Sequence, residues 1–301
     1  MKEAAMAGRA STGIWMMDGR TVLVTGTTSG IGRVTAAALG QAGAVVLAHA
    51  RDQARAAEVV RELQSSGGRF VPVSGDLGSL AGVRDLVEQV RQVTPEGLHV
   101  LVNNAGAAFP QRALSPDGVE RTLAVNHLAV AALTSLLLET LRNAASMTGR
   151  PSRVVNLSST MEKRGNPKLQ DWSHPTEFSQ LQAYSDSKLV NLAYTYALAR
   201  ELAGSGVTVN AANPGSVATA FGRNAGGVLK MVQIVGKAFM ASPEKGAHTP
   251  IRLASDPTWD GATGGYYSAA ELAASSEVSR DPAFGQQVYA HTTAILAQTL
   301  R

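Results

Sequence analysis

The chain has 301 residues, 45% of them hydrophobic, with a formal net charge of +4 and no cysteine. That suits one large domain with a full core, or two small ones, and excludes a disulfide framework or a thiolate metal site. The densest basic run, Arg51, Arg55, Arg61 and Arg69, is interleaved with Asp52, Glu58 and Glu62, which reads as a solvated helix face and not a nucleic-acid patch.

From residue 21 onward strands and helices alternate. Residues 21–25 are a short β-branched and apolar run, a buried strand, followed by a glycine-rich turn and a helix that Gly43 closes. Further strands are predicted at 44–48, 69–73, 100–102, 153–157 and 207–211, with a seventh at 264–267. Helices are predicted at 53–65, 80–93, 122–142 and 181–202. Continuous apolar strands separated by helices mean a parallel sheet covered on both faces. No Pro-, Gly- or Ser-rich linker splits the chain, so a loose tail at 1–17 and one domain at 18–301 are expected.

No apolar run reaches the length of a membrane span, and residues 1–15 lack the apolar core of a signal peptide, so the expected location is the cytoplasm. The six His stand singly, without the paired spacing of a zinc site, and no metal is expected.

Two groups of residues carry chemistry. Tyr184 and Lys188, four apart in the helix at 181–202, lie on one face of it. An ammonium beside the phenol favours the phenolate, so the tyrosine pKa is expected to fall towards the working range of a general acid or base. The turn from Thr25 to Gly32, spaced Gly-x-x-x-Gly-x-Gly through Gly26, Gly30 and Gly32, also holds Thr28, Ser29 and Ile31. Between a first strand and a first helix, such a turn lets backbone approach a pyrophosphate. Val154 to Leu157 end in Ser158 and Ser159, at the end of a strand where a crevice is expected.

These motifs, with Asn103-Asn104-Ala105-Gly106 and Asn126, stand in the order and context of the short-chain dehydrogenase/reductase family, which the chain resembles from about residue 19 to its end. Val125-Asn126-His127-Leu128, the Tyr-x-x-Ser-Lys-Leu run at 184–189 and the long Ser-to-Tyr gap are most similar to the branch containing the retinol dehydrogenases. The resemblance implies a Rossmann-type, doubly wound α/β fold with a seven-stranded parallel sheet. It implies a catalytic set of Asn126, Ser159, Tyr184 and Lys188, with Ser159 holding the substrate oxygen and Asn126 a water on the proton path. It implies that Asp76 and Leu77 meet the adenine, and Asn103 the adenine-side ribose region. Ala105 and Gly106 would line the cofactor, Tyr184 and Lys188 would meet its nicotinamide ribose, and Pro214, Gly215, Val217 and Thr219 would hold the nicotinamide end.

The place where family members carry a ribose-binding acid falls at Ala50, and Arg51 follows, suited to a 2′-phosphate. NADP(H) is therefore favoured over NAD(H), with Asp52 as the caution. The expected activity is hydride transfer between nicotinamide and a carbonyl or secondary alcohol. The alternative is a non-catalytic, NADP(H)-binding redox sensor.

The stretches 160–183 and 216–249 are expected to wall the substrate pocket, the second as a lid. They contain Trp172, His174 and Phe178, and Phe221, Leu229, Met231, Val232, Ile234, Val235, Phe239 and Met240, an adaptable apolar surface suited to a bulky lipophilic substrate. The competing reading of the second stretch is a helix packed on the core. The helices at 122–142 and 181–202 are apolar on several faces, and a homodimer or homotetramer through them is expected; the competing reading is that the insert at 160–180 covers the patch and leaves a monomer.

Overall fold

The computed structural model describes residues 15–172, 178–215 and 242–299. The apolar runs form β1 (Thr21–Val24), β2 (Val45–Ala50), β3 (Arg69–Ser74), β4 (Val100–Asn103), β5 (Ser152–Leu157), β6 (Val207–Asn213) and β7 (Tyr266–Ser268). All pair in parallel, in the order β3-β2-β1-β4-β5-β6-β7. An eighth strand, β8 (Glu271–Leu272), pairs antiparallel with β7, so the expected seven strands gain a short edge strand. Ala269 and Ala270 turn between them with φ of +51° and +60°. Two-residue hairpin turns of that kind normally advertise themselves by Asn-Gly, and two alanines give no such signal.

The helices in chain order are α1 (Gly30–Gln41), α2 (Gln53–Gln64), α3 (Leu80–Val93), α4 (Arg121–Leu136), α5 (Leu138–Thr148), α6 (Gln180–Glu201), α7 (Pro243–Ser255), α8 (Glu277–Arg280) and α9 (Pro282–Thr299). Leu39, Val59 and Ile251, from α1, α2 and α7, share one core with Val46 and Val102 of the sheet. Leu86, Leu133, Val190 and Val288, from α3, α4, α6 and α9, share the other with Leu101 and Val154. The single helix expected at 122–142 is broken: α4 and α5 meet at a 51° bend. Leu137 leaves helical geometry there (φ −92°, ψ 4°) and is fully buried, so packing sets a break that no Gly or Pro announces. No single described helix is long and apolar enough to cross a membrane; only this bent pair has the composition, and its leucines are core residues.

The outer faces of α4 and α6 are not free. α9 lies across them, burying Val288, Thr292 and Leu296 in the same core as Leu128, Leu133, Val190 and Leu198. His127 Nε2 donates to Thr292 Oγ1 (2.9 Å), and Tyr194 stacks on Tyr289 at 5.7 Å. Burial pushes the His127 pKa down to about 3, so the ring is neutral in this contact. Trp172 does not wall a substrate pocket; it packs edge-on against His127 and His291 beneath α9. The apolar faces expected to pair two copies are therefore covered from within the chain. Light scattering at micromolar concentration should give one species near the 31.3 kDa chain mass, and removal of α9 should make the protein self-associate. A stable dimer of the intact chain would show that another surface pairs.

Candidate active site

The strand order reverses between β1 and β4, which opens a crevice beyond the carboxyl ends of the strands. β1 leads into the glycine turn there. Gly26 and Gly30 have φ of +71° and +60°, a region open to glycine at little cost. Gly32 has ordinary backbone angles, but a Cβ on it would overlap the Asn104 amide and the Gly26 carbonyl. That amide locks the turn: Asn104 Nδ2 donates to the carbonyls of Thr25 (2.7 Å) and Gly26 (3.2 Å). Thr25 Oγ1 in turn accepts from the N–H groups of Asn104 and Ala105, each at 2.9 Å.

The sequence reading missed His49 as part of this assembly. It is buried at the end of β2, where Nδ1 accepts from the Gly26 N–H (3.1 Å) and Nε2 donates to the Gly75 carbonyl (2.9 Å). Burial lowers its pKa, consistent with the neutral ring those two bonds require. Its sequence signal, a lone histidine in an apolar strand, does not distinguish it from core.

Ser29 makes no side-chain bond to the first turn of α1, so the N–H groups there are left without that cap. Thr28, Ser29, Gly30 and Ile31 are partly exposed at the same place. A helix N-terminus with free N–H groups and a glycine cradle fits a dinucleotide's pyrophosphate. Along the adenine side, Arg51 is exposed directly after β2. Asp52 caps α2, its carboxylate accepting from Arg55 N–H at 2.9 Å. Asp76 is exposed and turned to Gly78 N–H (2.9 Å), with Leu77 buried beside it.

Asn103 is also held by a buried network. Its side chain is buried and donates to Asn156 Oδ1 (2.9 Å) and Thr134 Oγ1 (3.2 Å), while Asn156 donates to Thr195 Oγ1 (2.9 Å). The Asn103 amide therefore ties α4 through β4 and β5 to α6, because a buried amide must be paired. Ala105 and Gly106 open onto the crevice. Pro214 and Gly215 follow β6, with Gly215 at φ +74°, and Val217 and Thr219 lie outside the described residues. So do His174 and the apolar residues named between 221 and 240. The described end of the supposed lid, from Pro243 onward, is α7, a helix packed on the core with Ala247, Thr249 and Ile251 buried.

At the catalytic end, Ser159 follows β5 and Tyr184 and Lys188 project from α6. Ser159 stands beside the Tyr184 phenol, close enough to lower its pKa. Lys188 Nζ lies 5.8 Å from the centre of the Tyr184 ring and donates to the Leu157 carbonyl at 2.9 Å. Asn126 sits in a π turn, residues Ala124–Leu128 at the start of α4, a distortion common at functional sites. Its Oδ1 accepts from Ala107 N–H (2.8 Å), and its Nδ2 donates to Ala107 O and Ser187 Oγ, both at 2.9 Å. The amide thus fastens the loop after β4 to the helix that carries Tyr184.

The expected fall in the tyrosine pKa is not found. Burial pushes the Tyr184 phenol up to about 12, partly offset by the neighbouring Ser159 hydroxyl, and pushes Lys188 down to about 8. Desolvation penalises both charged forms, and the ammonium is directed at a carbonyl and not at the phenolic oxygen. The geometry brings together a hydroxyl that can hold an oxygen, a phenol that can give it a proton, and a cation behind them. Ser158, beside Ser159, is buried and has no part in the set.

A family model described as short chain dehydrogenase matches residues 20–229. Among curated proteins, the chain is 39% identical to retinol dehydrogenase 14 of Mus musculus over 267 residues, 84% of this chain and 78% of that protein. It is 40% identical to polyprenol dehydrogenase of Mus musculus over 255 residues, 82% of this chain and 75% of that one. Among solved structures, the Pseudomonas aeruginosa RhlG/NADP active-site complex superposes with a TM-score of 0.68 at 27% identity, covering 90% of this chain and 98% of that chain.

Proposed function

The chain belongs to the short chain dehydrogenase family of NAD(P)-dependent oxidoreductases, and on that premise we propose that it is an NADP(H)-dependent enzyme acting on a bulky lipophilic alcohol and its carbonyl partner. The observation that carries this reading is the buried Tyr184 phenol beside Ser159, with the Lys188 ammonium 5.8 Å from the centre of its ring. A redox sensor without turnover has no use for a positioned proton donor, and that alternative is not favoured. The names of the two curated relatives specify isoprenoid alcohols, and the apolar composition of residues 216–249 suits a substrate of that kind.

When bound, the nicotinamide supplies or accepts the hydride. Ser159 Oγ holds the substrate oxygen beside the Tyr184 hydroxyl. In reduction Tyr184 gives its proton to that oxygen, and in oxidation it takes one back. Lys188 stabilises the phenolate that reduction leaves behind. Asn126 holds the loop after β4 against α6 and so keeps this set in register.

The preference for NADP(H) is supported at the end of β2. The nearby acid, Asp52, is engaged in capping α2, while Arg51 makes no ion pair among the described residues and is exposed at the crevice rim. Arg51→Ala should weaken NADPH by about 1.5–3 kcal/mol, roughly ten- to a hundredfold, and leave NADH nearly unchanged. Titration of both cofactors checks this, and an equal loss for the two would remove Arg51 from the phosphate site. Turnover of NADPH with retinal and other long-chain aldehydes tests the substrate class; activity confined to small polar ketones would overturn it.

A further inference from the structure

A second site lies at the opposite end of the sheet from the crevice. The strands are parallel, so their amino-terminal ends collect on one edge. Arg20 precedes β1, His99 precedes β4, and Arg150 and Arg153 flank the start of β5. Together with Trp15 and Asp260 they line a cavity of about 270 Å³. That is close to the lower end of the range for small-ligand pockets, roughly 300 Å³.

The charges in this cavity do not balance. Asp260 is shared: its Oδ2 accepts from Arg150 Nε (2.9 Å) and Nη2 (2.7 Å), and its Oδ1 from Arg153 Nη2. Arg153 is buried and also donates to the Leu253 carbonyl at 2.9 Å. The neighbouring Asp256 is matched to Arg252. Arg20 has no ion pair among the described residues. Three guanidiniums thus face one carboxylate, a surplus of two positive charges. Burial, and then Arg150 and Arg153, lower the Arg20 pKa, with Asp260 only partly offsetting them.

His99 adds an independent pointer. It is 7% exposed, and its Nδ1 accepts from the Thr21 N–H at 3.0 Å, which places the ring proton on Nε2. Its pKa is lowered to about 4, chiefly by burial and then by Arg20, so the ring stays neutral and Nε2 is a donor. That donor has no acceptor among the described residues. Nε2 is thus a free donor in the wall of the cavity, open to an acceptor that enters it.

We propose that this cavity binds the phosphate group of a small soluble ligand, with Arg20 and His99 Nε2 as donors and Arg150 and Arg153 supplying the field. A phosphate dianion matches the surplus charge. Guanidinium forks suit its oxygens. The space left beside Trp15 takes a modest apolar or planar group attached to it.

The test uses the full chain without cofactor. Thermal unfolding is followed in potassium phosphate and in potassium chloride of equal ionic strength, with ³¹P line broadening as a second readout. Phosphate at ten times its Kd should raise the unfolding midpoint by about 2 °C. Arg20→Gln should abolish the shift and the broadening while keeping turnover, since Arg20 lies outside the catalytic set. Arg51→Ala, which alters only the cofactor end, should keep both effects. Absence of a phosphate effect in the parent, or its survival in Arg20→Gln, overturns the site. Loss in Arg51→Ala alone assigns the effect to the cofactor crevice and also overturns it. Vesicles of phosphatidic acid in phosphatidylcholine should leave the protein in the supernatant; sedimentation that Arg20→Gln prevents would assign the pocket to a lipid headgroup instead.

Discussion

Tyr184→Phe is expected to lower turnover by at least roughly 10²–10⁴-fold while NADPH still binds. The substitution removes one oxygen from a buried side chain of α6, so the fold and the Asn126–Ser187 contact are untouched. What disappears is the proton that Ser159 helps to position. The phenol, pushed up to about 12, is protonated across the working range, so the parent enzyme is ready for reduction at neutral pH. Lys188, brought down to about 8, loses its charge above that pH, and with it the stabilisation of the phenolate that reduction creates. The parent's reductive kcat should therefore decline above about pH 8. Steady-state kinetics over pH, with cofactor binding followed by fluorescence, check both statements. Activity of Tyr184→Phe within tenfold of the parent would remove the tyrosine from the chemistry.

Gly32→Ala should damage cofactor binding and stability together. The added methyl would overlap the Asn104 side chain and the Gly26 carbonyl, the two partners whose hydrogen bond sets the turn. Either Asn104 gives up its bonds to Thr25 and Gly26 or α1 moves away from the sheet. Overpacking of this kind costs about 1–3 kcal/mol, and a displaced turn should weaken NADPH at least about tenfold, or 1.4 kcal/mol. Gly261→Ala is the control, because a Cβ there meets nothing within 4 Å. Calorimetric melting and cofactor titration read the two effects. A Gly32→Ala protein that melts and binds like Gly261→Ala would mean that the turn is not held as described.

The sequence alone determined the parallel sheet, the glycine turn and the shared helix face of Tyr184 and Lys188, because each rests on local pattern; the choice of Ser159 came from the family resemblance. Apolar runs make strands, glycine spacing makes a tight turn, and an i, i+4 pair shares a helix face wherever the helix sits. Tertiary structure decided everything that depends on what covers what. The apolar faces of α4 and α6 read as an interface until α9 is placed over them, and periodicity states that a face is buried without saying by which segment. The pairing of the Asn103 amide with Asn156 and Thr134 also comes only from packing, because the three lie far apart in the chain. His49 and His99 were lone histidines until the strands carrying them brought one to Gly26 and the other to Arg20. The Tyr184 pKa turned on the same point. Sequence spacing reveals the charge of Lys188 but not the burial around both groups, and at this site desolvation outweighs the attraction.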